Sequence, residues 1–346
     1  MKLKNIPYLF ISFLLVAPLL SKSQTLKVIQ SAYIFNKAPF QACHASTLVE
    51  LKNGKIMAAW FGGKYEGSKD VGIWLATKQN NKWSEPTEIA NGIQHDTVRY
   101  ACWNPVLFRA KNGILYLHYK IGPNPREWWA EYKTSKNDGK TWSDAKKLPA
   151  GLLGPIKNKP IQLSNGFILY PSSSESLDEK TWLIHVEKSD KNGEHWKKIE
   201  INCDTFGVIQ PSILSYANGK LQLLCRSRQN VIVESWSKDQ GETWSKLKAT
   251  ELPNPNSGSD AVTLKDGRQL LIYNPLASGK NWWEGRSVLK LAISNDGQSW
   301  NNIYTLEDHK EGEYSYPAII QSTNGHIHLS YTDKRKRIKY VELKLE

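Results

Sequence analysis

The stretch "PSILSYANGKLQLLC", Pro211–Cys225, sets two apolar β-type runs on either side of Asn218-Gly219. Alternation in each run and an Asn-Gly pair between them predict a β-hairpin, and the dipeptide suits a type I′ turn, in which both central residues take positive φ. One such hairpin says little about a fold. The same pattern recurs at Gly54, Gly113, Gly166, Gly267 and Gly325, in "STLVELKNGKIMAAW", "PVLFRAKNGILYLHY", "PIQLSNGFILY", "AVTLKDGRQLLIY" and "PAIIQSTNGHIHLSY". Taken in chain order, the gaps between the six turn glycines are 59, 53, 53, 48 and 58 residues. Six in phase are a repeat.

A second motif keeps time with the first. "SKNDGKTW" (Ser135–Trp142), "SDKNGEHW" (Ser189–Trp196), "SKDQGETW" (Ser237–Trp244) and "SNDGQSW" (Ser294–Trp300) each follow a hairpin, and an eroded form, "TKQNNKW", ends at Trp83. Short polar side chains that bond neighbouring amides, a glycine for the awkward dihedral and a tryptophan to tuck inward make a self-contained turn. These are folding devices and carry no chemistry. Six β-rich units of about fifty residues with no sustained helical period predict an all-β protein, a six-bladed β-propeller of four-stranded antiparallel blades. A solenoid is the competing repeat architecture, but it needs capping repeats and none is evident. The first strand after the leader, "TLKVIQSAYIF", is expected to complete the last blade beside "HIHLSYT" and "IKYVELKL".

Residues 1–23 stand apart: Lys2 and Lys4, the apolar run "YLFISFLLVAPLL", then "SKSQ". This reads as a cleaved secretory signal ending near Ser23, too short to span a bilayer comfortably, so residues 24–346 form one exported propeller, periplasmic or extracellular. Losing Lys2, Lys4 and Lys22 lowers the formal charge from +13 to +10. A basic surface can attract nucleic acid, yet no recognition helix or nucleic-acid motif accompanies it; an acidic oligosaccharide is the better partner. Cys43, Cys102, Cys203 and Cys225 show no paired spacing, so neither a disulfide framework nor a metal site is expected. No cofactor or membrane insertion is expected, and the chain reads as a monomer.

In a propeller the innermost strand of each blade faces the central channel, so residues opening those strands converge on one mouth. Counting back eight to eleven residues from each turn glycine gives His44, Trp103 with Asn104, Gln210, and Tyr314, Ser315 and Tyr316; Asn158, Lys159 and Asp260 are the nearest counterparts in the other two blades. Pro105, Pro211 and Pro317 share the position eight before the glycine, where a strand's first residue needs no ladder donor.

With its Asp-box turns, the chain from Ala42 onward resembles the sialidase superfamily of six-bladed propellers. The resemblance implies a site with three arginines for a substrate carboxylate, an aspartate acid/base, and a tyrosine nucleophile assisted by a glutamate. Tyr314-Ser315 resembles the nucleophile motif, Asp70 in "YEGSKDVGIW" the acid/base, and Arg226 and Arg286 two of the three arginines. The family's first arginine falls on His44, a further one on Lys64, and the assisting glutamate on Gln210. Tyr316 is expected to pack in the core. The pairs Trp128-Trp129 and Trp282-Trp283 lie in loops where they could stack on sugar rings.

Two arginines at a mouth suit a carboxylate, which a guanidinium grips bidentately. Gln210 is neutral and cannot serve as the tyrosine's base, which favours elimination over a covalent glycosyl intermediate. In that reading Tyr314 or His44 removes the hydrogen beside a uronate carboxylate, with Asn104, Lys64, Lys159 and Asp260 completing the site; the enzyme is then a lyase or a dehydratase. A retaining hydrolase using Glu66, Glu175 or Glu284, and a non-catalytic lectin, stand as alternatives.

Overall fold

The computed structural model describes residues 26–281 and 283–346. The proposed signal and Trp282 lie outside the described residues. Among those described there is no helix: six antiparallel sheets of four or five strands follow one another along the chain, each the blade of a propeller, and Ile93–His95 with Val98–Arg99 adds a two-stranded ribbon. The innermost strands are Ala42–Glu50, Ala101–Arg109, Ile161–Gln162, Val208–Ser215, Asp260–Thr263 and Tyr314–Gln321, for blades one to six. In blade one the outer edge is split between Lys82–Trp83 and Thr87–Ala90.

The ring closes as the sequence predicts. Leu26–Tyr33 pairs antiparallel with Arg337–Leu345, from Leu26 opposite Leu345 to Tyr33 opposite Lys339, so the beginning of the described chain supplies the fourth strand of the last blade. Closure removes the open inner edge that a linear array would present.

The six turns are where expected but of a different type. In each, only the glycine has positive φ, from 75° at Gly54 to 95° at Gly166, and the preceding Asn or Asp does not. Leu51 accepts from the Gly54 amide at 3.0 Å and donates to Lys55 at 2.8 Å, which marks a type I turn followed by a left-handed glycine. The reason is side-chain chemistry. Asn53, Asn112, Asn165, Asn218, Asp266 and Asn324 each accept a hydrogen bond from the amide two residues on, and this Asx contact holds the residue in the ordinary right-handed turn. Both central residues have positive φ instead at Asn80–Asn81 and at Lys334–Arg335, without a glycine at either.

The Asp-box turns are as self-contained as predicted. Ser237 Oγ donates to Asp239 and accepts from the Gly241 amide, Asp239 accepts from the Thr243 amide, and Trp244 Nε1 donates to the Gly241 carbonyl. The core lies between blades. One apolar cluster joins blades one and two through Phe61, Trp103, Leu107 and Leu117; another joins five and six through Leu270, Ile272, Tyr314 and Leu329. The four cysteines are free thiols, three of them buried.

Candidate functional site

In four blades the inner strand carries a bulge at the same phase, nine residues before the turn glycine. Ala45, Asn104, Gln210 and Tyr316 there take φ of 55°, 27°, 56° and 50°, and the strand register shifts around each. Positive φ is unfavourable for residues with a Cβ and is worst for a bulky ring, so four in phase around one channel mark a site whose geometry overrides local preference. A bulge breaks the two-residue alternation and re-aims one side chain.

That explains which tyrosine serves the mouth. Tyr316 reaches out of blade six to residues of three others: its phenol oxygen accepts from Arg226 Nη1 at 2.6 Å, its ring lies 4.1 Å from the His44 ring, and Lys157 Nζ sits 5.8 Å over it. Tyr314 goes the other way. Its ring is buried in the cluster between blades five and six, stacked on His309 at 4.5 Å. The expectation for these two residues is therefore reversed: Tyr316 lines the cleft and Tyr314 packs.

A cleft of about 740 Å³ opens above Tyr316 and is walled by Arg226, Arg286, Arg335, Glu66, Trp182 and Asn256, among others. Arg226 is fixed by Asn256 Oδ1 on Nε at 2.8 Å and by Gln210 Oε1 on Nη1 at 3.3 Å, besides the phenol. Glu313 anchors the other two arginines. It accepts from Arg286 Nη1 at 3.0 Å and from Arg335 Nε at 2.8 Å and Nη2 at 3.2 Å, with Ser315 Oγ adding a fourth bond at 2.9 Å. Burial raises the Glu313 pKa, but Arg335 and Arg286 outweigh it and hold the carboxyl below its ordinary value. Arg335 also pairs with Glu66. Three guanidiniums thus share one cleft with an acid buttress behind them, an arrangement whose chemistry suits an anion.

Arg335 was not singled out from sequence. It sits in "TDKRKR", whose Lys334 and Arg335 have φ of 51° and 56°, a strained turn that turns the guanidinium toward Glu313. Glu313 and Lys157 were missed too. Lys157 is buried, donates to Asn158 Oδ1 at 2.9 Å, Ser259 O at 3.1 Å and Pro317 O at 2.7 Å, and burial pulls its pKa down to about 7.

The other expected site residues are dispersed. His44 is buried behind Tyr316 and does not line the cleft; among the described residues neither ring nitrogen has a hydrogen-bond partner. Burial first, then the charges of Arg335, Arg286, Lys157 and Arg226, hold it neutral, well below its usual pKa. Gln210 joins the site through Arg226, and Asn104 is buried at its bulge. Asp70 lies outside the cleft walls: its carboxylate accepts from the Lys64 amide at 3.0 Å and caps the loop, and the Lys64 side chain lines no part of the cleft. Lys159 and Asp260 pair with each other at 2.8 Å, and Asp260 also accepts from Ser212 Oγ and the Ile319 amide, so this pair ties blades three to six together beneath the mouth. Trp128 packs on Trp103 and Trp129 on Tyr100.

Similarities to known proteins follow this geometry. A protein of unknown function from Dyadobacter fermentans superposes with a TM-score of 0.74 at 16% identity, covering 93% of this chain and 99% of that one. The NanB sialidase from Streptococcus pneumoniae gives 0.71 at 15% identity over 90% of this chain and 70% of that one. The intramolecular trans-sialidase from Ruminococcus gnavus gives 0.70 at 16% identity over 90% and 96%. At such identities these likenesses establish the shared sialidase-like propeller. No curated protein matches by sequence. The family described as BNR repeat-like domain matches residues 54–329, from the first turn glycine to the last blade, and the chain belongs to that family.

Proposed function

We propose that this propeller is an exported carbohydrate-active enzyme that grips the carboxylate of an acidic sugar with Arg226, Arg286 and Arg335 and eliminates across the neighbouring carbons, with Tyr316 as acid and base. The observation that carries this reading is the convergence of three guanidiniums and one phenol oxygen on a single cleft. Clamping a uronate carboxylate withdraws charge and acidifies the C5 hydrogen. The Tyr316 oxygen, bonded to Arg226 Nη1, acts as the base for that proton; the C5–H electrons form the C4=C5 bond as the C4–O bond breaks. The phenol then returns the proton to the departing oxygen. A glycosyl leaving group makes the reaction a lyase, a hydroxyl a dehydratase. His44 and Lys157 position the ring, and Gln210, sharing Arg226 with the phenol, supplies no base.

A second reading keeps hydrolysis, as the names of the sialidase neighbours suggest. Glu175 favours it: burial raises its carboxyl above the usual value despite the charge of Arg226, which suits a proton donor. Incubating the protein with a panel of uronate oligosaccharides and a sialyl-oligosaccharide, followed by mass spectrometry, separates the two. Elimination leaves an unsaturated uronate or removes water, hydrolysis adds water, and unchanged masses throughout would refute both.

A further inference from the structure

The Asp-boxes leave one notch of the ring uncovered. Each inner strand runs from the arginine mouth to its turn glycine, so turns and boxes lie at the opposite end of the propeller. There each box seats its glycine on the blade before it: Gly139 on Met57, Gly193 on Tyr116, Gly241 on Leu169 and Gly297 on Gln222, so closely that a Cβ would crowd the partner. Every one of those partners stands three residues after its own turn glycine, and in blade six His328 holds that position. Its cover should come from blade one, whose eroded "TKQNNKW" has no glycine and turns through Asn80–Asn81 instead. A cavity of about 290 Å³ opens over His328 in place of the box.

The floor of this cavity is satisfied within the fold. His328 is buried, its Nδ1 2.7 Å from the Tyr340 hydroxyl and its Nε2 2.8 Å from Ser322 Oγ. Glu342 pairs with Lys78 at 2.6 Å and with His326 at 2.7 Å, so its charge is answered there. The rim is rich in donors. Lys55 Nζ has one bond, to Gln79 Oε1 at 2.8 Å, and no ion pair among the described residues. Asn53 and Asn324 spend Oδ1 on the amides of Lys55 and His326, at 3.2 and 3.0 Å, and among the described residues nothing engages either Nδ2.

Where a box fills the notch it brings acceptors to it. The Gly297 carbonyl takes Gln222 Nε2 at 2.8 Å, and the Asn192 carbonyl takes the Tyr116 hydroxyl at 3.0 Å. We propose that the open notch over His328 binds a small tetrahedral oxyanion, phosphate or sulfate, whose oxygens stand where box carbonyls stand elsewhere in the ring. Lys55 supplies the charge, and Asn53 and Asn324 the amide donors. The site lies at the far end of the propeller from the three arginines and does not depend on what they grip.

Titration calorimetry with inorganic phosphate, at fixed ionic strength, tests it in the Arg226→Ala protein, where the arginine cleft competes least. The expected result is one phosphate bound with a Kd of about 1 mM or below, weakened about tenfold by a further Lys55→Gln and kept by Lys55→Arg. No binding in Arg226→Ala, or equal binding with and without Lys55→Gln, overturns the site. Glycerol 2-phosphate bound more tightly than phosphate identifies an ester as the ligand, and the reverse the free ion; either supports the notch. Wild-type crystals soaked in tungstate give a second measurement that needs no variant. A peak within hydrogen-bond reach of Lys55 Nζ is expected. A peak at the arginines alone, no peak at all, or a peak at Lys55 with no binding in solution (binding at crystal concentration only) overturns the proposal.

Discussion

Lys157 holds its ammonium 5.8 Å over the ring of Tyr316 and at the same time donates to the carbonyl of the next residue, Pro317, at 2.7 Å. One buried amine from blade three thereby fixes both the ring and the backbone of a strained bulge in blade six. The strain at Tyr316 is held by tertiary contacts, since its own dihedral preference opposes it.

The burial of that amine predicts a pH dependence of stability. Its pKa falls from 10.5 to about 7 on folding, and that of Lys120, buried in blade two, does the same. Between those values the unfolded chain carries protons that the folded protein has released, so stability rises with pH from about 7 toward 10. Urea midpoints should increase from pH 7 to pH 9, and the increase should be smaller in Lys157→Met; equal slopes in the two proteins would contradict this.

Tyr316→Phe deletes the phenol oxygen and keeps the ring on His44. Turnover should fall by about 10²–10⁴-fold, the usual worth of a positioned acid or base, with substrate affinity changed little. Tyr314→Phe should leave turnover near wild type, because that ring packs between blades five and six. The reverse pattern would return the role to Tyr314.

Glu313→Gln leaves Arg286 and Arg335 without their shared anion in a buried site. Breaking such a pair costs about 3–5 kcal/mol, so the melting temperature should drop substantially. Arg286→Ala, by contrast, should weaken acidic sugars far more than neutral ones. Equal losses for both, read by calorimetry, would argue against a carboxylate clamp.

Removing residues 24–33 deletes the strand that closes the ring and exposes the edge of Arg337–Leu345. The shortened protein should aggregate or melt at much lower temperature. A soluble variant with the same unfolding midpoint would mean that closure contributes little.

Much of this protein is legible in its residues because its repeats are local devices. Six Asx-Gly turns and four Asp-boxes bond to themselves within a few residues, so their number and phase imply six blades, and the β-type run that includes Leu26–Tyr33 implies the closing partner. Phase and resemblance pointed to Arg226, Arg286 and Gln210, of which the first two wall the cleft and the third bonds to Arg226. Tyr316 was in the right phase and still misread, because strand alternation assumes an unbroken pleat and the bulge cancels it. Arg335 and Glu313 gave no local sign: each matters through the other, Glu313 just before the inner strand of blade six and Arg335 in the turn that precedes Arg337–Leu345. Periodic hydrogen bonding dictates the scaffold from sequence, whereas the aim of each side chain at the mouth is set by contacts among blades distant in the chain, and only the folded ring brings those into being.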